Sequence, residues 1–371
     1  MKHRKALLAI IGVVAVAIVG WLIYRAYVPP REEIVKIGAI LPLTGDLSLF
    51  GGWLKEGIDF AVAEAQRPVI VVYEDNANQT AKAVSAYRKL VSSDRVQAII
   101  TARTPVANAL TPIANSNRIF TIFTFADLPQ GDKTFILNYH FPVADEATAL
   151  AEFASKKLGP RGAILVVNDD FGRLGADHFE QYYTRRGGKI VFSDQFSPTE
   201  KDFRNLLLKL KDSQPSFVFV IAWEQNFLAL TKTMKEMGLD LPIVGPNVLT
   251  IYLDLVKAYL TRSYFTMSLY DAGKPTGPQY ESFLKSYKSK TGKEPNSVIA
   301  EAYEATKILL KALEEQPNSL PDFFDSINEY SGVFGKVVID SERQAHFPLA
   351  VVEIEQGKKK GIVWEFTPST H

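Results

Sequence analysis

Short β-branched runs alternate with helical stretches about a dozen residues long from Ile34 onward, and that rhythm restricts the chain to parallel βα units. The pattern predicts strands over Val35–Leu41, Val69–Tyr73, Ala98–Thr101 and Ile119–Phe123. Between them, Leu54–Gln66, Thr80–Ser93 and Val106–Asn115 carry apolar residues at helical spacing. The rhythm resumes with strands over Ala163–Val167, Lys189–Phe192, Phe217–Ile221 and Pro242–Val244, and helices over Gly175–Arg186, Asp202–Lys211 and Phe227–Met237. In the second of these helices Phe203, Leu206, Leu207 and Leu210 form one apolar face. The expected class is α/β with two similar lobes.

A local echo supports a duplicated lobe. Gly38-Ala39-Ile40-Leu41 opens one unit and Gly162-Ala163-Ile164-Leu165 another, each followed by a Phe-Gly pair, Phe50-Gly51 and Phe171-Gly172. Two four-residue matches carry little weight by themselves, but both sit in the order strand, loop, Phe-Gly, helix. After Gly245 the pattern loosens. A helix is expected over Ser297–Glu314, then a last pair of strands, Gly335–Ile339 and Leu349–Gln356, in a tail that can return to the first lobe and finish in the second.

Before this region a charged cap, Lys2, His3, Arg4 and Lys5, precedes uncharged, mostly apolar sequence from Ala6 to Tyr24. As a helix that stretch is about 28 Å long, close to a bilayer core of about 30 Å, and the preceding positive charge keeps the N-terminus cytoplasmic. A retained anchor over residues 6–24 is favoured above a cleaved signal, because the only small-residue cleavage match, Ala15-Val16-Ala17, lies inside the apolar run. Either reading places the globular part outside the cytoplasm. Residues 1–33 then comprise anchor and linker, with Pro29-Pro30 as a stiff spacer.

Composition excludes several functions. Lysine and arginine number 42 against 41 aspartate and glutamate, and basic clusters such as Lys358-Lys359-Lys360 are short, so no nucleic-acid partner is expected. With no cysteine there is no disulfide, Cys-ligated zinc or Cys nucleophile, and no acceptor for an N-terminal lipid. Phosphate-loop, His-Glu-x-x-His and Gly-x-Ser-x-Gly motifs are missing from the sequence. His140, His178 and His346 are widely separated, as surface or hinge histidines usually are. Neither catalysis, nor a metal, nor a cofactor is expected.

What remains are loops at the carboxyl ends of the expected strands, where open α/β sheets take small ligands. These are Pro42–Asp46 continuing through Phe50-Gly51-Gly52, Thr101–Pro105, Thr124–Asp127, Asn168–Gly172, Trp223-Glu224 and Pro246-Asn247. Taken singly, each residue is most simply a capping Thr, a turn Gly or a packed aromatic; their joint placement on strand ends is what points to a cleft.

Val35-Lys36-Ile37-Gly38, Leu41-Pro42-Leu43-Thr44-Gly45 and Gly51 resemble the opening of type I periplasmic solute-binding proteins, in the leucine/isoleucine/valine-binding group. Tyr73-Glu74-Asp75-Asn76, Asn168–Gly172, Glu200-Lys201-Asp202-Phe203 and Gly245-Pro246 extend the likeness. The resemblance implies two Rossmann-like lobes, 34–140 with 269–341 and 141–268 with 345–367, joined by a three-crossing hinge near Tyr139–Pro142, Thr266–Tyr270 and Ser341–His346. It also implies that Thr104 binds a carboxylate, that Ala126-Asp127 holds the ligand's backbone, and that Phe50, Phe171 and Trp223 form an aromatic wall.

Two departures matter. Asn247 stands where the family's amino-acid receptors hold the ligand's ammonium with a carboxylate, and Asp127 stands in place of Thr. A buried ammonium needs an anion, which Asp127 or Glu224 could supply from a shifted position. If neither points inward, Arg103 could pair with an acid that lacks an amine; as the first residue of a helix it could equally be a surface group. The expected function is an extracytoplasmic receptor, acting as a monomer, that delivers an amino acid or related small organic solute to the permease subunits of an ABC-type importer. The alternatives are a ligand sensor signalling to a separate membrane partner and, with less support, an exported hydrolase.

Overall fold

The first stretch of β-branched and apolar residues does fold as parallel βα units. In the computed structural model, which describes Val14 and residues 17–21, 34–316 and 319–368, they run β1 (Val35–Leu41), α1 (Ser48–Ala63), β2 (Val69–Asp75), α2 (Thr80–Lys89), β3 (Ala98–Ala102), α3 (Thr104–Asn117), β4 (Phe120–Thr124) and β5 (Ile136–Asn138). Their strand order is β2-β1-β3-β4-β5, with every neighbouring pair parallel. β3 and β4 are buried at every residue because helices cover both faces, which is why they read as unbroken apolar runs. β2, at the sheet edge, stays half-buried.

The second set comprises α4 (Val143–Lys157), β6 (Arg161–Val167), α5 (Asp170–Arg185), β7 (Lys189–Phe196), α6 (Arg204–Asp212), β8 (Phe217–Ile221), α7 (Glu224–Glu236), β9 (Ile243–Gly245), a 3-10 turn (Asn247–Tyr252), α8 (Leu253–Val256) and β10 (Arg262–Ser268). Its parallel strands lie in the order β7-β6-β8-β9-β10, the order of the first sheet repeated. The tail adds α9 (Pro278–Thr291), α10 (Ser297–Glu315), α11 (Leu320–Ser326), β11 (Glu329–Gly332), β12 (Gly335–Ile339), β13 (Ala345–His346), β14 (Leu349–Glu355) and β15 (Lys358–Phe366). β11, β12 and β13 make a small antiparallel sheet whose apolar side joins the core beneath the first sheet, together with Phe283, Ile299, Leu309 and Leu313 of α9 and α10. β14 and β15 extend the second sheet as antiparallel strands beside β10.

The chain therefore passes between the sheets after Asn138, after Ser268 and at Phe347-Pro348. Several sequence expectations are corrected here. Gly335–Ile339 and Leu349–Glu355 belong to different sheets, and because β13 pairs with β12 the third passage lies just beyond Ser341–His346. Thr266 lies inside β10, and the second passage begins after Ser268. α4, α9, β10 and β15 were not foreseen. The alanines that pack α4 carry little hydrophobic signal, and β10 buries Ser263, Thr266 and Ser268 among its apolar residues.

Of the expected anchor, Ala6–Tyr24, only Val14 and residues 17–21 are described; they are helical and exposed, and the remainder, with Pro29-Pro30, lies outside the described residues. Among the described residues no helix is long and apolar enough to cross a membrane.

Both Phe-Gly pairs sit in the first turn of a helix rather than before it, so α1 and α5 begin several residues ahead of Leu54 and Gly175. Close packing explains the glycines. A Cβ on Gly51 would stand 2.1 Å from the carbonyl oxygen of Pro42, and one on Gly172 would stand 2.0 Å from that of Val167, so each helix start presses on the end of its preceding strand. Gly172→Ala should therefore lower stability by about 1–3 kcal/mol, read as a lower urea midpoint by circular dichroism. An unchanged midpoint would mean that α5 can shift outward without cost.

Candidate functional site

In the order 2-1-3-4-5 the connections leave in opposite directions at the boundary between the first and third strands, and a crevice opens there beyond the strands' carboxyl ends. This chain has that boundary twice, between β1 and β3 and between β6 and β8. All nine residues singled out in the sequence follow strand ends: Phe50 after β1, Arg103 and Thr104 after β3, Ala126 and Asp127 after β4, Phe171 after β6, Trp223 and Glu224 after β8, and Asn247 after β9.

On the first sheet the loop after β1 is fixed by Asp75 at the end of β2. Its carboxylate accepts the N–H groups of Leu43, Thr44 and Ala77 and the hydroxyl of Thr44, donors that overcome burial and hold its pKa below the usual carboxylate value. Thr104 opens α3, and its Oγ1 accepts the N–H of Asp127 at 3.0 Å, tying the loops after β3 and β4 together. Arg103 and Phe125 adopt positive φ, 84° and 49°, a costly backbone region for non-glycine residues that is concentrated at functional sites. Phe125 sets its ring against Phe50, 5.3 Å away and edge-on, and against His140 at 4.7 Å. Its N–H donates to Glu301 Oε1, and the same buried carboxylate meets His140 Nδ1 at 3.0 Å. Burial opposes charge on His140, but Glu301 outweighs it and raises the imidazole's pKa. Ala126 is buried, its carbonyl taken by Asn138 Nδ2.

On the second sheet Asp169 caps α5 through the N–H of Gly172 and accepts Trp223 Nε1–H at 2.7 Å. That bond fixes the indole, which stacks on Phe171 at 5.7 Å. Asn247 gives its backbone N–H to Glu146 Oε1, which also accepts the Thr266 hydroxyl at 2.6 Å. Glu146 is 2% exposed, and burial pushes its pKa up to about 7 despite those two donors. Glu224 begins α7 with an exposed side chain that accepts from Gln225.

Among the described residues several contacts join the two sides, and three of them involve strand-end residues or the third passage. Asp127 Oδ1 accepts the N–H of Val143, the first residue of α4, at 3.3 Å. Burial raises the pKa of Asp127, while His140, that N–H and His178 oppose the rise. Arg103, after β3, lies within electrostatic reach of Tyr252 in the 3-10 turn, and burial lowers the guanidinium's pKa. His346 bridges Asp145 of α4 at 2.7 Å and Asp340 at 3.2 Å, beside the third passage. A separate cavity of about 410 Å³ beside α9 and α10 has both of its carboxylates engaged, Glu64 by Tyr303, Ser286 and Lys290 and Glu304 by the N–H groups of Val333 and Phe334. Among the described residues no group of three or more metal-ligating side chains is assembled.

The structure thus gathers Phe50, Arg103, Thr104, Ala126 and Asp127 on one side and Phe171, Trp223 and Asn247 on the other, and leaves the Glu224 side chain at the exposed rim. Glu146, His140, Glu301, His178 and Tyr252 were missed by sequence reasoning. A pair of glutamates three apart in the alanine-rich start of α10, Glu301 and Glu304, was a usable signal, since charges there must be buried with partners.

Burial disfavours charge on His346, but its two carboxylate partners prevail and raise its pKa from 6.5 to about 9. A folded-state pKa above the unfolded one gives stability that is complete below about pH 6.5 and lost as pH rises through about 9. His346→Gln should therefore be less stable than the natural chain at pH 6, with the gap closing by pH 9.5. Denaturant midpoints across that range test this, and a gap constant with pH would remove the ion pair as its cause.

Residues 34–360 match the family described as periplasmic binding protein. Over 321 residues the chain is 22% identical to Leu/Ile/Val-binding protein homolog 7 of Brucella abortus, covering 78% of this chain and 79% of that protein. Its fold is similar to that of the branched-chain amino acid transporter substrate binding protein LivJ from Streptococcus pneumoniae in complex with isoleucine, with TM-score 0.78, 21% identity, and 91% and 100% of the two chains covered. It is also similar to a solute binding protein of an ABC transporter from Rhodopseudomonas palustris in complex with 3,4-dihydroxybenzoic acid, with TM-score 0.71, 22% identity, and 90% and 96% covered. The doubled strand order and the extent of these matches agree: the chain belongs to the periplasmic binding proteins, in their type I fold.

Proposed function

We propose that this protein is the extracytoplasmic receptor of an ABC-type importer, capturing a small amino acid or organic acid between its two halves and presenting it to membrane permease subunits. It carries out no reaction and acts as a monomer. The observation that carries this reading is the convergence of the loops at the carboxyl ends of two sheets of the same order, one bringing Thr104 and Arg103, the other the Phe171–Trp223 stack. On this reading one half comprises residues 34–140 and 269–341. The other comprises 141–268 and 349–367, because β13 pairs with β12 and keeps 345–346 on the first side. The three passages then serve as the hinge, and closure shields a few directed hydrogen bonds from water.

Relatives support both solute classes: the Streptococcus pneumoniae structure holds isoleucine and the Rhodopseudomonas palustris structure holds an aromatic acid. Mass spectrometry of solute released from natively purified protein should identify a small carboxylate. Adding that solute back should raise the melting temperature without being consumed. Thr104→Ala and Trp223→Ala should each weaken its binding by roughly tenfold or more, through a lost hydrogen bond and a lost aromatic face. Consumption of the solute, or wild-type affinity in both variants, would overturn the reading.

A further inference from the structure

Titratable groups from both sides meet where the chain first passes between the sheets. Asp127 follows β4, His140 lies in the passage, Glu301 stands early in α10, and Glu146 is in the first turn of α4. His140 Nδ1 is 3.0 Å from Glu301, and the ring is within electrostatic reach of Glu146 and Asp127. One imidazolium cannot balance three carboxylates, so full ionisation would leave excess negative charge at a buried boundary. Asp145 adds to it around Asp127, and Asp271 and Glu304 add to it around Glu301. His178 and His346 relieve it on the α4 side, and Lys359 relieves Asp271.

Glu146 is the member built to take up a proton. It is buried, and both of its donors, the Asn247 N–H at 2.7 Å and the Thr266 hydroxyl at 2.6 Å, converge on Oε1. Among the described residues Oε2 takes no donor, so it can carry a proton while Oε1 keeps both bonds. Glu301 by contrast sets both oxygens against His140. Burial pushes the pKa of Glu146 up to about 7 and Asp127 adds to the rise, while Thr266, the Asn247 N–H and His140 oppose it.

Glu146 and Asp127 belong to opposite sides of the boundary and repel each other when both are charged. Closing the halves removes water from around them, which strengthens the repulsion and favours the neutral acid. An organic acid brings negative charge and an amino acid brings no net charge, so neither solute class offsets this. We propose that Glu146 is a positioning residue that works as a proton switch: the halves close with a proton on Glu146 and open when it leaves, while Oε1 holds Asn247 in both states. The proposal rests on the receptor reading above and adds control by pH to it. The closed form binds the extra proton, so closure is favoured below about pH 7 and lost as pH rises through that value.

The chain has no cysteine, so spin labels introduced by Leu49→Cys on α1 and Leu174→Cys on α5, exposed positions on opposite sides, report only the separation of the halves. Pulsed electron paramagnetic resonance on the full chain, freed of solute by dialysis, should find the short-distance population roughly threefold or more larger at pH 6 than at pH 8.5. Glu146→Gln keeps an acceptor for both donors and cannot ionise, so its distances should match those of the labelled parent at pH 6 across the whole range. Asp127→Asn removes the opposing charge and should shrink the pH response by about half or more. Distances constant with pH in the labelled parent, an undiminished pH response in Glu146→Gln, or opening at acid pH overturns the proposal. The receptor reading is tested apart, by the solute released from native protein, and survives each of these outcomes.

Discussion

Two sheets of the same strand order bring the carboxyl ends of their strands to a common region, and every polar group there must find a partner or remain desolvated. Several carboxylates are arranged around that requirement. Asp75 holds the first loop, Asp169 holds Trp223 and the start of α5, Glu146 holds Asn247 to β10, and Glu301 holds Phe125 and His140. Each carboxylate accepts at least two donors, as buried carboxylates must if they are not to destabilise the fold.

On the proposed receptor reading, rigid loops must coexist with two halves that move. Within each half the loops are held by several hydrogen bonds to strand ends and helix starts. Between the two sides the described polar links include Asp127 with the first turn of α4, the Arg103 and Tyr252 approach, His346 with Asp145 and Asp340, Lys274 with Glu365, and Lys359 with the carbonyls of Asp271 and Ala272. Links near the passages suit a two-state element whose balance a bound solute could bias. The small antiparallel sheet contributes by carrying Asp340 and His346 to the place where the chain crosses for the last time.

Gly51 and Gly172 connect local sequence to this design. Both occupy the first turn of a helix and lie against the carbonyl at the end of the preceding strand, so the repeated Phe-Gly pair reflects one packing constraint met twice. The accompanying phenylalanines, Phe50 and Phe171, are placed by the same turn on the crevice side of each sheet, where they meet Phe125 and Trp223.

The α/β class, most strands of both parallel sheets and the nine strand-end residues were legible in the chain, because alternation of short apolar runs with helical periodicity is a local property. Helix starts at Ser48 and Asp170 were not, since glycine in a first turn reads as loop until its packing partner is known. α4 and β10 were hidden by alanine and by buried hydroxyls. The site divided in the same way. Sequence alone determined which residues follow strand ends and therefore border the crevice. Only the tertiary structure decided that Asp127 Oδ1 takes the Val143 N–H, that the Glu224 side chain is exposed, and that Glu146 and Glu301 are buried, because hydrogen-bond partners lying about 16 to 176 residues apart are set by packing and not by local pattern.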